Sequence, residues 1–424
     1  MLAWFLLTLL VLLAFGMPVA FALGLTMLAL LLAATDMPMV LLAQQMLAGA
    51  DNYSLIAVPL FMLAAEIMSA GGITRRIIDF FIAVIGWIRG GLALVNVGAS
   101  MVMASFSGSA VADASMIGSV MIPSMKDRGY TPEFAAAVTA TSSTLGVIIP
   151  PSIPMIVLGF ITSTSVLDMF LGGILPGLLI GGALLVTVYV MSRRLNLPRE
   201  QRLPAREVWL RARSTGWALL MPLIIVGGIR LGIFTITESS VIAVVYALVV
   251  SSVVYRELTW KAFYESFISA AVTSSVVMLI VASATGSAWL MNSEQVPQAI
   301  AKTLGGVTDQ AWVFLLITVV FLLLVGMVMD LTPALLILGP ILLPVALQFG
   351  IDPVHYSVLM VITLAYGLIT PPVGTCLYLT AGIAHVSITR VIVSTLPMLA
   401  VMIAMLVLIA LVPGITTWLP TSWK

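Results

Sequence analysis

Two stretches of this 424-residue chain, residues 105–163 and 325–385, share one spacing of proline and glycine. A shift of 221 positions superimposes six of these residues without a gap. The matching pairs are Pro123 with Pro344, Gly129 with Gly350, Pro132 with Pro353, Gly146 with Gly367, Pro150 with Pro371 and Pro151 with Pro372. Proline and glycine set backbone geometry in ways that other residues do not. The chain is therefore predicted to use one structural unit twice.

Apolar runs of about 20 residues, the length that crosses the hydrocarbon core of a bilayer, recur from end to end. Hydrophobic residues make up 61% of the sequence and charged residues 8%, which excludes an ordinary water-soluble protein. The runs are continuous and do not alternate with period two, so a β-barrel is excluded as well. The sequence predicts an all-α polytopic membrane protein.

Residues that carry metal, redox or nucleotide chemistry are scarce. Cys376 is alone and lies in an apolar segment, where it is expected to be a small packing residue. Two histidines without clustered cysteines exclude a histidine- or thiolate-based metal site. No GxxxxGK[ST] motif occurs, so the chain is expected to carry no ATPase, and a net charge of +1 does not suggest a nucleic-acid partner. Met1 leads directly into apolar sequence, and no removable signal peptide is expected.

Four apolar segments are interrupted in their middle. Residues 90–125 are interrupted at residues 105–109, which leaves two halves of about 15 residues, too short to cross a bilayer alone. A re-entrant hairpin that enters and leaves on one side is predicted there. A second hairpin is predicted over 311–348, and broken spans are predicted over 132–163 and 353–385. Irregular backbone at membrane depth is stable only where protein or a wet cavity covers it.

The predicted divisions of the chain are a first repeat at 1–192, a basic linker at 193–213, a second repeat at 214–412 and a C-terminal tail at 413–424. Amphipathic arms at 74–89 and 292–310 are expected to lie along the membrane surface. Residues 1–34 are long for one span and short for two. Their Gly16-Met17-Pro18 break favours a tight helical pair, although one span stays open.

The charge pattern predicts the orientation. Seven arginines in 193–213 mark a cytoplasmic loop. Alternation of the spans then places fifteen of the eighteen lysines and arginines in the cytoplasm; the exceptions are Arg230, Lys302 and Lys424. The same alternation brings the second hairpin in from the opposite face. The repeat is therefore predicted to be inverted.

Inverted repeats with hairpins and discontinuous helices are a transporter architecture, with substrate and ion near the midplane. Unpaired N–H groups at a half-helix start attract anions, and unpaired C=O groups at a half-helix end attract cations. Hydroxyl side chains stand at all four breaks and could add oxygen ligands for Na⁺. The alternative is that they only satisfy the broken backbone. Asp330 at the second tip is the leading carboxylate candidate, whereas Asp113 could instead cap or pair within its hairpin. Glu66 and Glu238 are expected to make scaffold hydrogen bonds.

The candidate ion- and substrate-binding residues are Ser105, Ser107, Gly108, Ser109, Asp113, Ser142, Ser143, Thr144, Gly146, Pro150, Gly326, Asp330, Thr332, Gly367, Thr370, Pro371 and Gly374. Within that set, the residues predicted to hold Na⁺ are Ser107, Gly146, Gly326, Asp330, Gly367 and Thr370. Na⁺ is expected as the coupling ion, and no other cofactor is expected.

Five motifs carry a family resemblance: SGSAVADASMIGSVMIPSMKDRGY, TSSTLGVIIPPSIPMI, FTITES, MDLTPALLILGPILLPVA and YGLITPPVGTCLYL. With them the whole chain resembles the large membrane subunit of tripartite ATP-independent periplasmic (TRAP) transporters. The family pattern reads Thr-Pro-Thr-Glu-Ala-Ala where this chain has Ile236 in place of the proline. That departure concerns the geometry of one turn.

The resemblance implies a sodium-coupled importer of a small organic acid in the bacterial inner membrane. It implies an elevator-like transport domain, with both hairpins and both broken spans, moving against a scaffold of the other helices. It also implies two partners: a soluble periplasmic binding protein that delivers the acid, and a small four-helix membrane subunit. That subunit is expected to be a separate polypeptide because the chain starts directly at the large subunit.

Three other functions stay open at this point. The first is a sodium-coupled carboxylate carrier that works without a binding protein. The second is a channel, disfavoured because one chain supplies both inverted halves. The third is an intramembrane enzyme: the serines lack a nearby base, and an aspartyl protease would need Asp113 and Asp330 to converge. The sequence therefore predicts a transporter and no enzyme.

Overall fold

The structure, a computed structural model, describes residues 2–34, 37–305 and 308–423, and all regular secondary structure in these ranges is helical. The helices are α1 (Leu2–Ala14), α2 (Val19–Ala34), α3 (Val40–Ala50), α4 (Ala57–Ala70), α5 (Ile73–Ile85), α6 (Gly91–Ser107), α7 (Ala110–Asp127), α8 (Pro132–Ser143), α9 (Ile153–Thr162), α10 (Val166–Arg194), α11 (Ala205–Arg230), α12 (Ile236–Val249), α13 (Trp260–Ser293), α14 (Val296–Gly305), α15 (Ala311–Gly326), α16 (Leu331–Gln348), α17 (Pro353–Gly367), α18 (Thr375–Ala384), α19 (Ile388–Leu411) and α20 (Gly414–Ser422). Short 3₁₀ segments precede α4 and follow α8, and a π-helical turn follows α12. Residues 306 and 307 of the second predicted arm, together with Met1 and Lys424, lie outside the described residues.

Seven helical segments in the described ranges are long and apolar enough to cross a membrane. They include α10, α11, α13 and α19, and the longest, α13, has 34 residues. The prediction of an all-α polytopic membrane protein is confirmed. The remaining apolar helices are shorter, and most of them are halves of interrupted segments.

Helix boundaries recur at the 221-residue offset. Helix α7 runs from Ala110 to Asp127 and α16 from Leu331 to Gln348, so both ends differ by that number. Helices α8 and α17 begin at the matching prolines Pro132 and Pro353. The two Pro-Pro peptide bonds are both cis. The inverted orientation of the two copies stays a prediction.

The helices pack as two bodies. Helices α6 to α10 and α15 to α20 form the first, which contains both hairpins and both broken spans; α1 to α4 and α11 to α13 form the second. Helix α5 packs against α6 and α11, and α14 packs against α16 and α13, so each contacts both bodies. We refer to the two groups as the hairpin body and the scaffold body.

Helices α10 and α19 differ from the expectation that every other helix belongs to the scaffold. Both pack in the hairpin body, where α10 contacts α6 and α17 and α19 contacts α8. A Cβ atom at Gly173 of α10 would lie 2.5 Å from the carbonyl oxygen of Ile148, beside the first Pro-Pro break. The absence of a side chain at Gly173 therefore lets α10 cover that break directly.

Three further segments differ from their sequence-based description. Helix α3 was not predicted, and it packs on α13 where Gly49 leaves room for Thr285, since a Cβ at Gly49 would lie 2.6 Å from it. The second half of the basic linker is already helical, because α11 begins at Ala205. The C-terminal tail contains α20, which packs on α10 and α17.

Basic segments that the charge pattern assigns to one side contact one another. The ion pairs that join them are Arg76 with Glu257 at 2.6 Å, Arg128 with Glu200 at 2.7 Å and Arg390 with Glu133 at 3.3 Å. The main-chain N of Gly90 also donates to the carbonyl of Pro198 at 3.1 Å, which joins the end of the first arm to the linker. These contacts place the segments on one face, and the positive-inside rule makes that face cytoplasmic.

Cysteine labelling tests this orientation. In a Cys376→Ser background, Lys261→Cys lies close to the predicted cytoplasmic face, because it is in the first turn of α13, four residues after Glu257, and its side chain is exposed. Asp309→Cys, between α14 and α15, is exposed on the opposite side of the predicted topology. A membrane-impermeant maleimide added to intact cells is expected to label the Asp309→Cys protein and to label Lys261→Cys only after lysis. The reverse pattern would contradict the orientation.

Candidate functional site

The breaks of the hairpin body meet the scaffold at a cavity of about 420 Å³. Its wall contains the first hairpin tip, the second hairpin tip, both broken spans and two scaffold helices. The lining residues used below are Gly108, Ser109, Asp330 and Thr332 from the tips, Val147, Ile153 and Leu368 from the broken spans, and Glu66 and Thr273 from α4 and α13. An adjoining cavity of about 220 Å³ shares Glu66, Ser109, Ile153 and Thr273.

The first tip turns within two residues. Helix α6 ends at Ser107, and Gly108 adopts a positive φ of 58° that a side chain would disfavour. A Cβ at Gly108 would also lie 3.0 Å from the carbonyl oxygen of Pro151. Ser109 then caps α7, and its hydroxyl accepts a hydrogen bond from Ala112 N at 3.4 Å. The tip therefore packs directly against the first Pro-Pro break.

Asp113 lies fully buried behind this tip, in the first turn of α7. The Ser107 hydroxyl donates to the main-chain oxygen of Ser109 at 3.4 Å, and neither carboxylate oxygen of Asp113 has a hydrogen-bond partner within the described residues. A Cβ at Gly146 would lie 2.5 Å from Asp113 Oδ2 and 3.1 Å from the carbonyl oxygen of Ser109. Gly146 thus lets the 3₁₀ segment after α8 approach the Asp113 carboxylate and the Ser109 carbonyl together. Asp113 does not cap its helix, since Ser109 does.

The second half of the site is built on backbone contact. Gly326 ends α15 and Gly367 ends α17, and a Cβ at Gly367 would lie 2.4–2.5 Å from the C, Cα and O atoms of Gly326. The main-chain N of Val373 donates to the carbonyl of Met327 at 3.2 Å, which joins the second broken span to the second tip. Asp330 is the N-cap residue of α16 and is exposed to the cavity.

Most of the predicted hydroxyls satisfy their own helix. Ser143 donates to Ala140 O at 2.8 Å, and Thr370 donates to Tyr366 O at 2.6 Å. Ser142 donates to Thr139 O at 3.3 Å in its own helix and accepts from the Ser100 hydroxyl of α6 at 2.8 Å. These bonds account for the hydroxyl protons, while each oxygen keeps a lone pair that could face a cation. Structural and ion-binding roles are thus compatible at these positions.

The structure brings some predicted residues to the cavity wall and leaves others behind it. Ser107, Gly108, Ser109, Asp330 and Thr332 line one or both cavities. The predicted residues that do not line either one are Ser105, Asp113, Ser142, Ser143, Thr144, Gly146, Pro150, Gly326, Gly367, Thr370, Pro371 and Gly374. Their part in ion binding stays a prediction.

Scaffold residues in the wall were missed as site residues by the sequence. Glu66 makes the scaffold hydrogen bond expected of it, accepting from the Ser269 hydroxyl at 3.0 Å. It also lines both cavities, beside Thr273 of α13 and, in the smaller one, Ser69 of α4. No breaker or repeat signal marks these residues, because they reach the site only through packing of two regular helices against the hairpin body.

Three helices begin at the cavity, and their N-termini supply partial positive charge. Helix α7 begins at Ala110, α9 at Ile153 and α16 at Leu331, and all three residues line the wall. The charged lining residues of the two cavities are Glu66 and Asp330, both carboxylates. The site thus offers main-chain N–H groups to an anion and carboxylate or hydroxyl oxygens to a cation.

Comparison with known proteins assigns a family to this architecture. A family model described as "Tripartite ATP-independent periplasmic transporter, DctM component" matches residues 6–415. The 2,3-diketo-L-gulonate TRAP transporter large permease protein YiaN of Escherichia coli is 41% identical over 410 residues, which are 97% of this chain and 96% of that protein. The C4-dicarboxylate and sialic acid TRAP large permeases of Vibrio cholerae, DctM and SiaM, are each 38% identical; they cover 96% of this chain each, with 94% and 95% of their own lengths.

Solved structures share the fold at low identity. The YdaH transporter of Alcanivorax borkumensis matches with a TM-score of 0.65 at 16% identity, over 88% of this chain and 87% of that one. MtrF of Neisseria gonorrhoeae matches with a TM-score of 0.61 at 13% identity, over 91% and 84%. At such identities the likeness concerns the fold alone.

The Gly326–Gly367 contact can be tested by stability. Gly367→Ala is expected to lower the thermal unfolding midpoint in detergent, because overpacking against immovable backbone costs about 1–3 kcal/mol. Gly382→Ala is the matched control, since that glycine also lies in an α-helix of the second broken span and has open space around it. The control midpoint should be unchanged or raised, because alanine favours a helix. Equal midpoints for the two variants would contradict the close contact.

Proposed function

The chain belongs to the DctM family of tripartite ATP-independent periplasmic transporters, and we propose that it imports a small organic acid together with Na⁺. As a member it is a multi-pass protein of the inner membrane and a transporter permease, not an enzyme. One observation carries the proposal: the four breaks and two scaffold helices enclose a single cleft whose charged residues are both carboxylates.

The charge of the cleft supports sodium coupling. An organic anion gains from the N-termini of α7, α9 and α16, each worth about half an elementary charge. It is opposed by Glu66 and Asp330 in the wall and by Asp113 buried behind it. In the described ranges, no lysine, arginine or histidine lines either cavity to offset this repulsion. A cotransported monovalent cation would neutralise this excess negative charge. Binding of the acid would then depend on bound Na⁺, which couples the two fluxes.

Two groups of atoms suit Na⁺ in this scheme. In the first repeat, the Asp113 carboxylate, unpartnered within the described residues, and the carbonyl of Ser109 lie against Gly146, and the Ser107 hydroxyl donates to that carbonyl at 3.4 Å. In the second repeat, the C-terminal carbonyls around Gly326 and Gly367 lie in backbone contact, with the Thr370 hydroxyl nearby in the chain. Carbonyl, hydroxyl and carboxylate oxygens are the ligands preferred by hard cations.

An elevator motion fits the two packed bodies. The helix N-termini and the proposed ion ligands belong to the hairpin body. The scaffold body contributes only residues of α4 and α13 to the cavity wall. Helices α5 and α14 contact both bodies. They can therefore keep the hairpin body connected to the scaffold body while the hairpin body moves. Alternating access would then expose one site to each side of the membrane in turn.

The substrate and partners follow the family. Relatives are named for 2,3-diketo-L-gulonate, C4-dicarboxylates and sialic acid, all organic acids. We place this chain in the same substrate class. A soluble periplasmic binding protein delivers the acid, and a small membrane subunit completes the tripartite assembly.

Reconstitution tests the coupling. Proteoliposomes that contain the chain and its small subunit are expected to accumulate an organic acid presented by the binding protein only when Na⁺ is higher outside. Uptake in the absence of the binding protein would identify a carrier that works alone. Accumulation that is independent of Na⁺ would refute the proposed coupling.

Ligand substitutions test the ion sites. Asp330→Ala and Ser107→Ala are each expected to raise the Na⁺ concentration for half-maximal uptake about tenfold, which corresponds to about 1.4 kcal/mol of lost ion binding. Controls are Asp309→Ala and Ser119→Ala, both at exposed positions outside the cavities. If both site variants keep the wild-type Na⁺ dependence at normal protein levels, the assignment of these ligands is wrong.

A further inference from the structure

Glu66 faces the first hairpin tip from the scaffold side of the cleft. It lines the cavity of about 220 Å³ whose opposite wall contains Ser107 and Ser109. It also lines the larger cavity. Among the residues that the structure describes, it is the one charged residue lining the smaller cavity, so its carboxylate dominates the local field there.

The scaffold holds this carboxylate in place. The Ser269 hydroxyl of α13 donates to Glu66 Oε1 at 3.0 Å, and the Ser266 hydroxyl donates to the main-chain oxygen of Glu66 at 3.4 Å. None of the ion pairs among the described residues involves Glu66. Its charge is therefore oriented by a neutral donor and is not neutralised by a basic side chain.

Of the two transported species, the cation is the one that this charge favours. An organic acid anion near Glu66 is repelled, whereas Na⁺ is attracted. Hydroxyl side chains of Ser69, Ser115 and Thr273 line the same cavity and can replace waters around a partly hydrated ion. The smaller cavity thus has the composition of a passage for a monovalent cation.

We propose that Glu66 is a cation-attracting residue that raises the Na⁺ concentration at the first hairpin tip and so lowers the Na⁺ concentration needed to fill the ion site behind it. This role rests on the proposed sodium coupling. Glu66 remains on the scaffold while the ion site moves with the hairpin body, so it is a positioning residue and not a permanent ligand.

The dimensions make the effect moderate. A sphere of the smaller cavity's volume is about 7 Å across, slightly less than the Debye length of about 8 Å at physiological ionic strength. Screening between Glu66 and an ion at the tip is therefore incomplete but substantial. Focusing by one charge at this distance is expected to change the half-saturating Na⁺ concentration by about fivefold.

Direct binding of radioactive Na⁺ to the purified full-length protein, without any acid, tests the role of Glu66. Glu66→Gln is expected to raise the half-saturating Na⁺ concentration about fivefold while leaving the number of ions bound at saturation unchanged. Glu66→Asp, which keeps the charge, should remain within about twofold of the wild type. Glu265→Gln removes a charge from an exposed position on α13 outside both cavities and serves as the matched control.

Ionic strength separates attraction from ligation. Added choline chloride should reduce the difference between Glu66→Gln and the wild type, because a screened charge loses its reach. A difference that persists at high choline chloride, or a loss of bound ions at saturating Na⁺, would overturn the proposal in favour of a direct ligand or a structural role. An unchanged half-saturating concentration in Glu66→Gln would overturn it too.

The outcome also distinguishes this inference from the proposed function. If the wild type binds no Na⁺, sodium coupling itself fails. If the wild type binds Na⁺ and Glu66→Gln binds it equally well, only the role of Glu66 fails.

Should Glu66→Gln unfold in detergent, the Glu66→Asp and Ser269→Ala proteins replace it. Ser269→Ala removes the hydrogen bond to the carboxylate while keeping its charge. A change above about twofold in the half-saturating Na⁺ concentration of either variant would contradict simple attraction.

Discussion

A helix that is interrupted inside a bilayer leaves main-chain N–H and C=O groups without partners, and hydrocarbon supplies none. The structure meets this constraint by packing its interruptions against one another. The first tip at Gly108 lies against the carbonyl of Pro151 in the first broken span. Val373 N of the second broken span donates to Met327 O near the second tip. The starts of α7, α9 and α16 face the cleft, where water or a ligand can satisfy their N–H groups. The position of the cleft is therefore a consequence of where the backbone must be covered.

The two repeats preserve this backbone arrangement and differ in chemistry. Helices α7 and α16 coincide at the 221-residue offset, yet Asp113 of the first corresponds to Ala334 of the second, and Asp330 corresponds to Ser109. Gly146 faces a carboxylate, whereas its counterpart Gly367 faces the main chain of Gly326. Each hairpin thus contributes one carboxylate at a non-equivalent place. The proposed ion sites are accordingly related in backbone but unlike in ligands.

The two walls of the cleft have separate origins. The hairpin wall consists of helix termini and tip residues, which can bind an anion and cations together. The scaffold wall consists of the middle of α4 and α13, where Glu66 is held by Ser269 and contributes charge without a helix end. In the proposed elevator motion, the hairpin body would move with the ligands while the scaffold body shapes the local field, an arrangement suited to alternating access.

The sequence by itself determined the membrane class and the four interruptions, since hydrophobic run length and proline and glycine positions are local properties of the chain. Its charge pattern also predicts which segments are cytoplasmic. It could also single out Ser107, Ser109, Asp330 and Thr332, because breaks at membrane depth are visible without coordinates. Only the tertiary structure decided which helices join the hairpin body and which residues form the opposite wall. In the sequence, helices α10 and α19 have the length and hydrophobicity of ordinary membrane spans, and Glu66 resembles any other carboxylate of the scaffold. Their roles depend on which faces of regular helices are brought together, and side-chain packing between distant segments leaves no mark on local sequence.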